Sequence, residues 1–317
     1  MIHTRGLART FTTRSGPVEA VRPLDLDIDE GSIVGLLGPN GAGKTTTLRM
    51  LTTLLDPTAG SAQVAGADLR REPREVRRRI GYVAQIGASP APGARVGEEL
   101  ITQGRLHGLS KPTSAARVAD LLPRLDLDGL EARALSELSG GQRRRFDIAV
   151  GLVHDPKLLF LDEPTTGLDP QSRANLWTHI RALREVHGVT VLITTHYLEE
   201  ADALADRILV MDAGSIVADG TPDALKAQVS GDVITLSVDG DINQAESVAR
   251  DALEIRSAMV DHGTLHLTVE RGDVAVAPLL RALDAAGLPL RSVSVQRPTL
   301  DDVFLTLTGK SLRDNVA

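Results

Sequence analysis

The feature that most constrains this chain is a glycine-rich run closed by a lysine and a threonine, Gly38-Pro39-Asn40-Gly41-Ala42-Gly43-Lys44-Thr45. It follows the uninterrupted apolar run Ile33 to Leu37 and precedes a stretch with helical periodicity, Thr45 to Leu54. Glycine, four residues, then Gly-Lys-Thr between a strand and a helix is the pattern of a phosphate-binding loop. Glycines let the backbone turn tightly enough for several N–H groups to converge on phosphate oxygens, and the helix beginning near Lys44 adds the positive end of its dipole. In such a loop Gly38, Asn40, Gly41 and Gly43 form the cradle and Lys44 reaches the β- and γ-phosphates. The Thr45 hydroxyl ligates Mg²⁺, and Thr46 donates to the α-phosphate.

Two further apolar runs, Leu158 to Leu161 and Val191 to Ile193, suit strands of a parallel sheet covered on both faces. Each ends in residues of chemical interest, and ligands of open α/β sheets bind beyond the carboxyl ends of the strands. Leu161 leads into Asp162-Glu163. Asp162 is expected to hold Mg²⁺ and Glu163 to orient or deprotonate an attacking water, a role worth about 10²–10⁴-fold in rate. Taken alone, an acidic pair at a strand end fits an ordinary turn equally well. Residues 18–30, with Leu24, Leu26 and Ile28 on one face, read as a half-buried antiparallel strand closed by Glu30-Gly31.

Between Gln85 and about Asp155 the strand pattern gives way to helical spacing, as at Val118, Leu121, Leu122 and Leu125, with Pro90-Ala91-Pro92-Gly93 as a loop at the entrance. This is a helical insertion of about residues 86–155 within a first domain of residues 1–228. A break near Ser230-Gly231 opens a second domain, 231–317. Its pattern is strand (Val233 to Val238), helix (Gln244 to Leu253), two strands (near Ala258 to Val260 and Leu265 to Val269), helix (about Ala277 to Ala286) and strand (Arg291 to Val295). That β-α-β-β-α-β order is the ferredoxin-like signature of a small α+β domain.

With a formal net charge of −7 and a pI near 5.6, the chain lacks the basic domain that usually marks a nucleic-acid binder, so no nucleic-acid partner is expected. There are no cysteines, which excludes disulfides, zinc–thiolate sites and a thiol nucleophile, and fits a reducing cytosol. No secretory signal is visible at the start, and nothing approaches the ~20 apolar residues needed to cross a bilayer. The run Arg70, Arg71, Arg74, Arg77, Arg78 and Arg79 reads as a solvated helix face. The second domain carries no cluster of catalytic residue types and reads as a packing or dimer-stabilising module.

Leu138-Ser139-Gly140-Gly141-Gln142, followed by Arg143, Arg144 and Arg145, is where a family becomes recognisable. The chain resembles ATP-binding cassette (ABC) proteins, whose signature motif this pentapeptide reproduces. Gln85 after Gly81-Tyr82-Val83 resembles the Q-loop glutamine, Gly167-Leu168-Asp169 the D-loop, and His196 after Ile193-Thr194-Thr195 the switch histidine. The likeness runs nearly continuously over residues 1 to about 228. It implies a P-loop NTPase fold of the ABC type, a mixed sheet with a helical subdomain, using ATP and Mg²⁺. It further implies a head-to-tail homodimer in which the signature motif of one copy closes over ATP held on the P-loop of the other. On that basis Ser139, Gly140, Gly141, Gln142 and Asp169 would bind the partner's nucleotide. Glu163, His196 and Gln85 would act in catalysis, and Gln85 would join Thr45 and Asp162 around Mg²⁺. Phe11 stands where the family's adenine-stacking aromatic is expected.

Three stretches narrow the resemblance to the daunorubicin/doxorubicin-resistance group of export ATPases. They are Gly141 to Ile148, Asp162 to Pro170 and Thr195 to Ala201, and the closing Arg297-Pro298-Thr299-Leu300-Asp301-Asp302-Val303-Phe304-Leu305 is also similar. This implies a peripheral protein on the cytoplasmic face of the membrane, paired with a separate multi-helix permease of the ABC-2 type. A cytosolic mechanical or regulatory ATPase without a permease, and the ATPase of an importer, remain alternative readings.

Overall fold

A computed structural model describes residues 1–14, 16–85, 93–229, 231–261 and 263–308. The Pro90-Ala91-Pro92 part of the expected entrance loop lies outside the described residues. The chain forms one compact unit through Asp219 and a second from Gly220.

The first unit runs β1 (Ile2–Thr13), β2 (Gly16–Ile28), β3 (Ile33–Leu37), α1 (Lys44–Leu51), β4 (Ala59–Val64), β5 (Ala67–Asp68), α2 (Pro73–Arg79) and β6 (Ile80–Val83). Three helices follow, α3 (Val96–Leu106), α4 (Lys111–Arg124) and α5 (Gly140–Leu152), where the sequence places its helical insertion. The unit closes with β7 (Leu158–Asp162), α6 (Pro170–Glu185), β8 (Thr190–Thr195), α7 (Leu198–Leu204), β9 (Arg207–Asp212) and β10 (Ser215–Gly220).

Two sheets result. β2-β1-β4-β5 is antiparallel, with Leu24, Leu26 and Ile28 buried as their alternation requires. β10-β9-β3-β8-β7-β6 is parallel from β9 to β6. Side chains of this second sheet sort by the two-residue period of a strand. Leu159, Leu161, Val191 and Ile193 join one core with residues of α3, α4, α5 and α6; Leu158, Phe160, Leu192, Val34 and Leu36 join another with α1 and the antiparallel sheet. Burial on both faces is why these strands read as continuous apolar runs. Their carboxyl ends at Leu37, Asp162 and Thr195 lie side by side in register.

The second unit holds α8 (Pro222–Val229), β11 (Asp232–Val238), α9 (Ile242–Ala252), β12 (Ile255–Asp261), β13 (Thr264–Val269), α10 (Gly272–Ala285), β14 (Leu290–Gln296) and α11 (Leu300–Thr308). Its sheet order β12-β13-β11-β14, antiparallel throughout, is that of a ferredoxin-like fold. The division between units falls ahead of the break expected near Ser230, because α8 packs against α11 of the second unit. The closing motif has a structural explanation. Thr299 and Asp302 cap α11 reciprocally, and Leu300, Val303 and Phe304 form its buried stripe.

The arginine run is only partly helical: α2 begins at Pro73, so Arg70 and Arg71 lie in the preceding turn, where their backbone N–H groups donate to Asp68. The remaining arginines are exposed, and Arg78 and Arg79 pair with Glu75. No helix among the described residues is long and apolar enough to cross a membrane.

Candidate functional site

The glycine loop is demanded by close packing as well as by turning. A Cβ on Gly38 would lie 2.2 Å from the Met211 carbonyl oxygen. Gly43, with φ +108°, would set a Cβ 2.5 Å from the carbonyl oxygen of Ala20. No other residue type fits either place without moving backbone. The loop delivers α1 with Gly43 as its N-cap, so the first-turn N–H groups of Lys44, Thr45 and Thr46 face a cleft. Ala20, Asn40, Gly41, Gly43, Lys44, Thr45, Thr46, Gln85 and Glu163 line it.

Lys44 is almost fully buried. Its Nζ donates to the carbonyl oxygens of Gly38 at 2.7 Å and Pro39 at 3.0 Å, and stands 3.9 Å from Glu163 Oε1. Burial lowers its pKa, and the charges of Glu163 and Asp162 oppose that shift. At the end of β7, Asp162 Oδ1 accepts hydrogen bonds from Thr194 Oγ1 at 2.7 Å and Thr45 Oγ1 at 3.2 Å. The P-loop hydroxyl, the strand-end carboxylate and β8 are thereby tied together.

Glu163 occupies the middle of the site. Its φ is +44°, a left-handed conformation uncommon for a residue with a side chain and a frequent mark of a functional position. The backbone N–H donates to Thr194 O at 3.1 Å and Thr194 Oγ1 at 3.0 Å, which holds the turn. Oε2 accepts from Gln85 Nε2 at 3.0 Å and Thr166 Oγ1 at 3.2 Å, and lies 3.2 Å from His196 Nδ1. The His196 interaction is the largest influence that lowers the Glu163 pKa below its usual value, against the opposing effect of burial. An ionised carboxylate beside a lysine, a glutamine and a histidine can accept a proton from, or orient, a water in the cleft.

The structure brings together Lys44, Thr45, Thr46, Gln85, Asp162, Glu163 and His196. Other candidates lie elsewhere. Ser139 and Gly140 are exposed at the start of α5, where Ser139 and Gln142 form a capping box. The motif therefore starts its helix by the S-x-x-Q rule and presents the helix N-terminus outward. Asp169 is exposed and caps α6, accepting from Ser172 N at 2.9 Å and Ser172 Oγ at 2.6 Å. Phe11 sits in the β1–β2 hairpin opposite Val18, with the Arg9 guanidinium 4.6 Å from its ring centroid. It is not among the residues lining the cleft; Ala20 of the same hairpin is.

No group of three or more His, Asp or Glu among the described residues is arranged to hold a metal by itself. One hydroxyl and one carboxylate, Thr45 and Asp162, suit Mg²⁺, which is usually held by one or two carboxylates together with substrate phosphates. Sequence reasoning missed Thr194, which bonds both acids. Its one signal is that the apolar run of β8 ends in Thr194-Thr195 just before His196.

The ABC transporter family matches residues 21–166, and the C-terminal domain family of DrrA1-3-like ATP-binding proteins matches residues 220–308. Daunorubicin resistance ATP-binding protein DrrA3 of Streptomyces coeruleorubidus is 46% identical over 301 residues, covering 95% of this chain and 94% of its own. Nod factor export ATP-binding protein I of Burkholderia lata is 39% identical, covering 96% of this chain and 97% of its own. Among solved structures, a dimeric bacterial ABC transporter cassette superimposes with a TM-score of 0.63 at 26% identity, covering 70% of this chain and 98% of that one.

Proposed function

Since the chain belongs to the ABC transporter family of ATP-binding, ATP-hydrolysing proteins, we propose that it is the motor subunit of an exporter for a drug, antibiotic or lipid-like substrate. The relatives named for daunorubicin resistance and Nod factor export support the direction of transport. The missing pathway would be supplied by a separate multi-helix permease of the ABC-2 type, with this subunit held peripherally on the cytoplasmic face of the membrane.

The observation that carries the reading is the convergence of Lys44, Gln85 and His196 on Glu163 at the mouth of the glycine loop. Lys44 and the loop N–H groups bind the β- and γ-phosphates of ATP. Thr45 and Asp162 would hold Mg²⁺, with Gln85 beside them, and a bound ion would supply charge neutralisation at the phosphate oxygens. Glu163 orients the attacking water and takes its proton, and His196 contacts the γ-phosphate from the end of β8. Phe11 stacks on adenine. The exposed Ser139, with Gly141 just behind it in the first turn of α5 and backed by the helix dipole, closes on ATP held by a second copy, with Asp169 at the same interface. The dimeric state of the solved cassette supports this arrangement.

The experiment is to purify the wild-type chain and Glu163→Gln and measure Mg-ATP turnover, nucleotide retention and size with ATP present. Glu163→Gln should keep nucleotide, lose turnover by at least ~100-fold and elute as a dimer. Wild-type turnover from a monomeric variant would remove Glu163 from the base role. Co-purification with a multi-helix membrane protein, and ATP-driven efflux once the pair is reconstituted, tests the exporter assignment.

A further inference from the structure

We infer that Arg144 is a positioning residue that couples the signature helix to the carboxylate of Glu163, so that engagement of the opposite ATP site is registered at this one. The inference rests on the proposed roles of Glu163 as base and of α5 as the element that closes on a partner's nucleotide.

Arg144 is the middle of three consecutive arginines, yet only 7% of it is exposed. It lies near the start of α5 and sends its guanidinium inward to three backbone carbonyls. Nε donates to Pro164 O at 2.7 Å, Nη1 to Ala84 O at 2.8 Å and Nη2 to Asp162 O at 3.2 Å. Asp162 and Pro164 are the residues on either side of Glu163, and Ala84 precedes Gln85, which itself donates to Glu163. One planar, rigid fork therefore fixes the peptide that enters the base, the peptide one residue beyond it, and the segment carrying its glutamine partner. Arginine suits this task because its donors are set in fixed directions. The nearest carboxylate is Asp147, with Oδ2 at 3.8 Å and one turn along the same helix.

Burying a cation against carbonyls is expensive, and an apolar side chain would fill the space at less cost. What the arginine supplies is geometry. Glu163 is held at φ +44°, and the carbonyls of the residues on either side of it are bonded to the first turns of a helix that faces outward at Ser139 and Gly140. A helix transmits a shift along its axis nearly rigidly, so a displacement of Ser139 on contact with bound triphosphate moves the Arg144 fork and the carbonyls it grips. Misplacing a reacting group by about 1 Å costs on the order of 10²-fold in rate.

The test compares Arg144→Lys and Arg144→Gln in the full chain by steady-state ATP hydrolysis, binding of a fluorescent ATP analogue and thermal melting. Both variants should bind the analogue within about 2-fold of wild type, lose about 10- to 100-fold in kcat, and show a Hill coefficient for ATP that falls toward one. The Lys variant should lose less than the Gln variant. In a Gln85→Ala background, Arg144→Lys should cost about 2-fold or less, since both changes release the same element. A wild-type kcat and Hill coefficient in both variants overturns the inference. So does a loss that merely follows the loss of folded protein and multiplies undiminished in the double variant. Glu163→Gln measured alongside separates this from the underlying reading. If it is inactive while the Arg144 variants are normal, the coupling role alone fails; if it retains turnover, the base assignment fails first.

Discussion

Thr194 Oγ1 donates to Asp162 Oδ1 at 2.7 Å, and the same oxygen accepts from the backbone N–H of Glu163 at 3.0 Å. A single fully buried hydroxyl at the end of β8 thus sets the directions of both acids at the end of β7. It also explains how Glu163 is held in a left-handed turn beside a strand that would otherwise continue extended.

Thr194→Val keeps the shape and removes the hydroxyl. It should cost about 1–3 kcal/mol in stability, because a buried N–H and a carboxylate oxygen each lose a partner. Turnover should fall at least ~10-fold, since Asp162 and Glu163 would lose their fixed directions. Urea unfolding and ATP hydrolysis check this; a variant equal to wild type in both would show that the hydroxyl positions nothing.

Lys44→Ala removes the cation that bonds the Gly38 and Pro39 carbonyls and faces Glu163. Loss of a charged hydrogen-bond donor to phosphate is worth about 1.5–3 kcal/mol, or roughly 10- to 100-fold in nucleotide affinity. Titration with a fluorescent ATP analogue reads this directly. Wild-type affinity would be incompatible with Lys44 contacting the nucleotide.

Gly43→Ala should be destabilising and should weaken nucleotide binding together. Its Cβ would meet the Ala20 carbonyl oxygen at 2.5 Å, and its φ of +108° is strained for any L side chain. The added strain is of order 1–3 kcal/mol, and the melting temperature reports it. A variant with unchanged melting and binding would mean that the loop has room that the geometry denies.

Much of this site was legible in the sequence because its strands are short, parallel and buried on both faces. Ile33 to Leu37, Leu158 to Leu161 and Val191 to Ile193 therefore stand out as unbroken apolar runs, each pointing at the residues that follow it. β1 was not legible. Register shifts between Thr4, Leu7, Arg9 and Thr10 break its alternation, so its 12 residues lack the two-residue rhythm of a strand. Arg144 was hidden differently: it stands between two other arginines and nothing in the sequence sets it apart, but successive residues on a helix point about 100° apart, which turns the middle one inward. The structural work of Ser139, Gln142 and Asp169 as helix caps follows a rule readable from sequence, masked here by the stronger functional motif around them.

Glu200 links stability to pH in the opposite sense to most carboxylates. It is fully buried, and Trp177 Nε1 donates to its Oε1 at 3.2 Å. Burial raises its pKa from the ordinary 4.5, although the neighbouring Thr195, Thr165 and Trp177 pull the other way. The folded chain therefore keeps this proton to higher pH than the unfolded chain does. The stabilisation is fully present below 4.5 and is lost as pH rises through the folded-state value. Glu200→Gln, which mimics the protonated form, should melt like wild type near pH 4 and higher than wild type at pH 7 to 8. A gap that closes as pH rises would reverse the sign of this account.

The central claim, that two copies share each ATP site, is tested most directly by mixing two inactive variants. Lys44→Ala disables the phosphate loop and Ser139→Arg the signature motif. A mixed dimer pairs the intact loop of one with the intact signature of the other and so holds one working site. Each variant alone should hydrolyse almost no ATP, and an equal mixture should recover up to about a quarter of wild-type activity, because half the dimers are mixed and each has one of two sites. Turnover by Ser139→Arg alone, or no recovery in a mixture shown to contain mixed dimers, would contradict it.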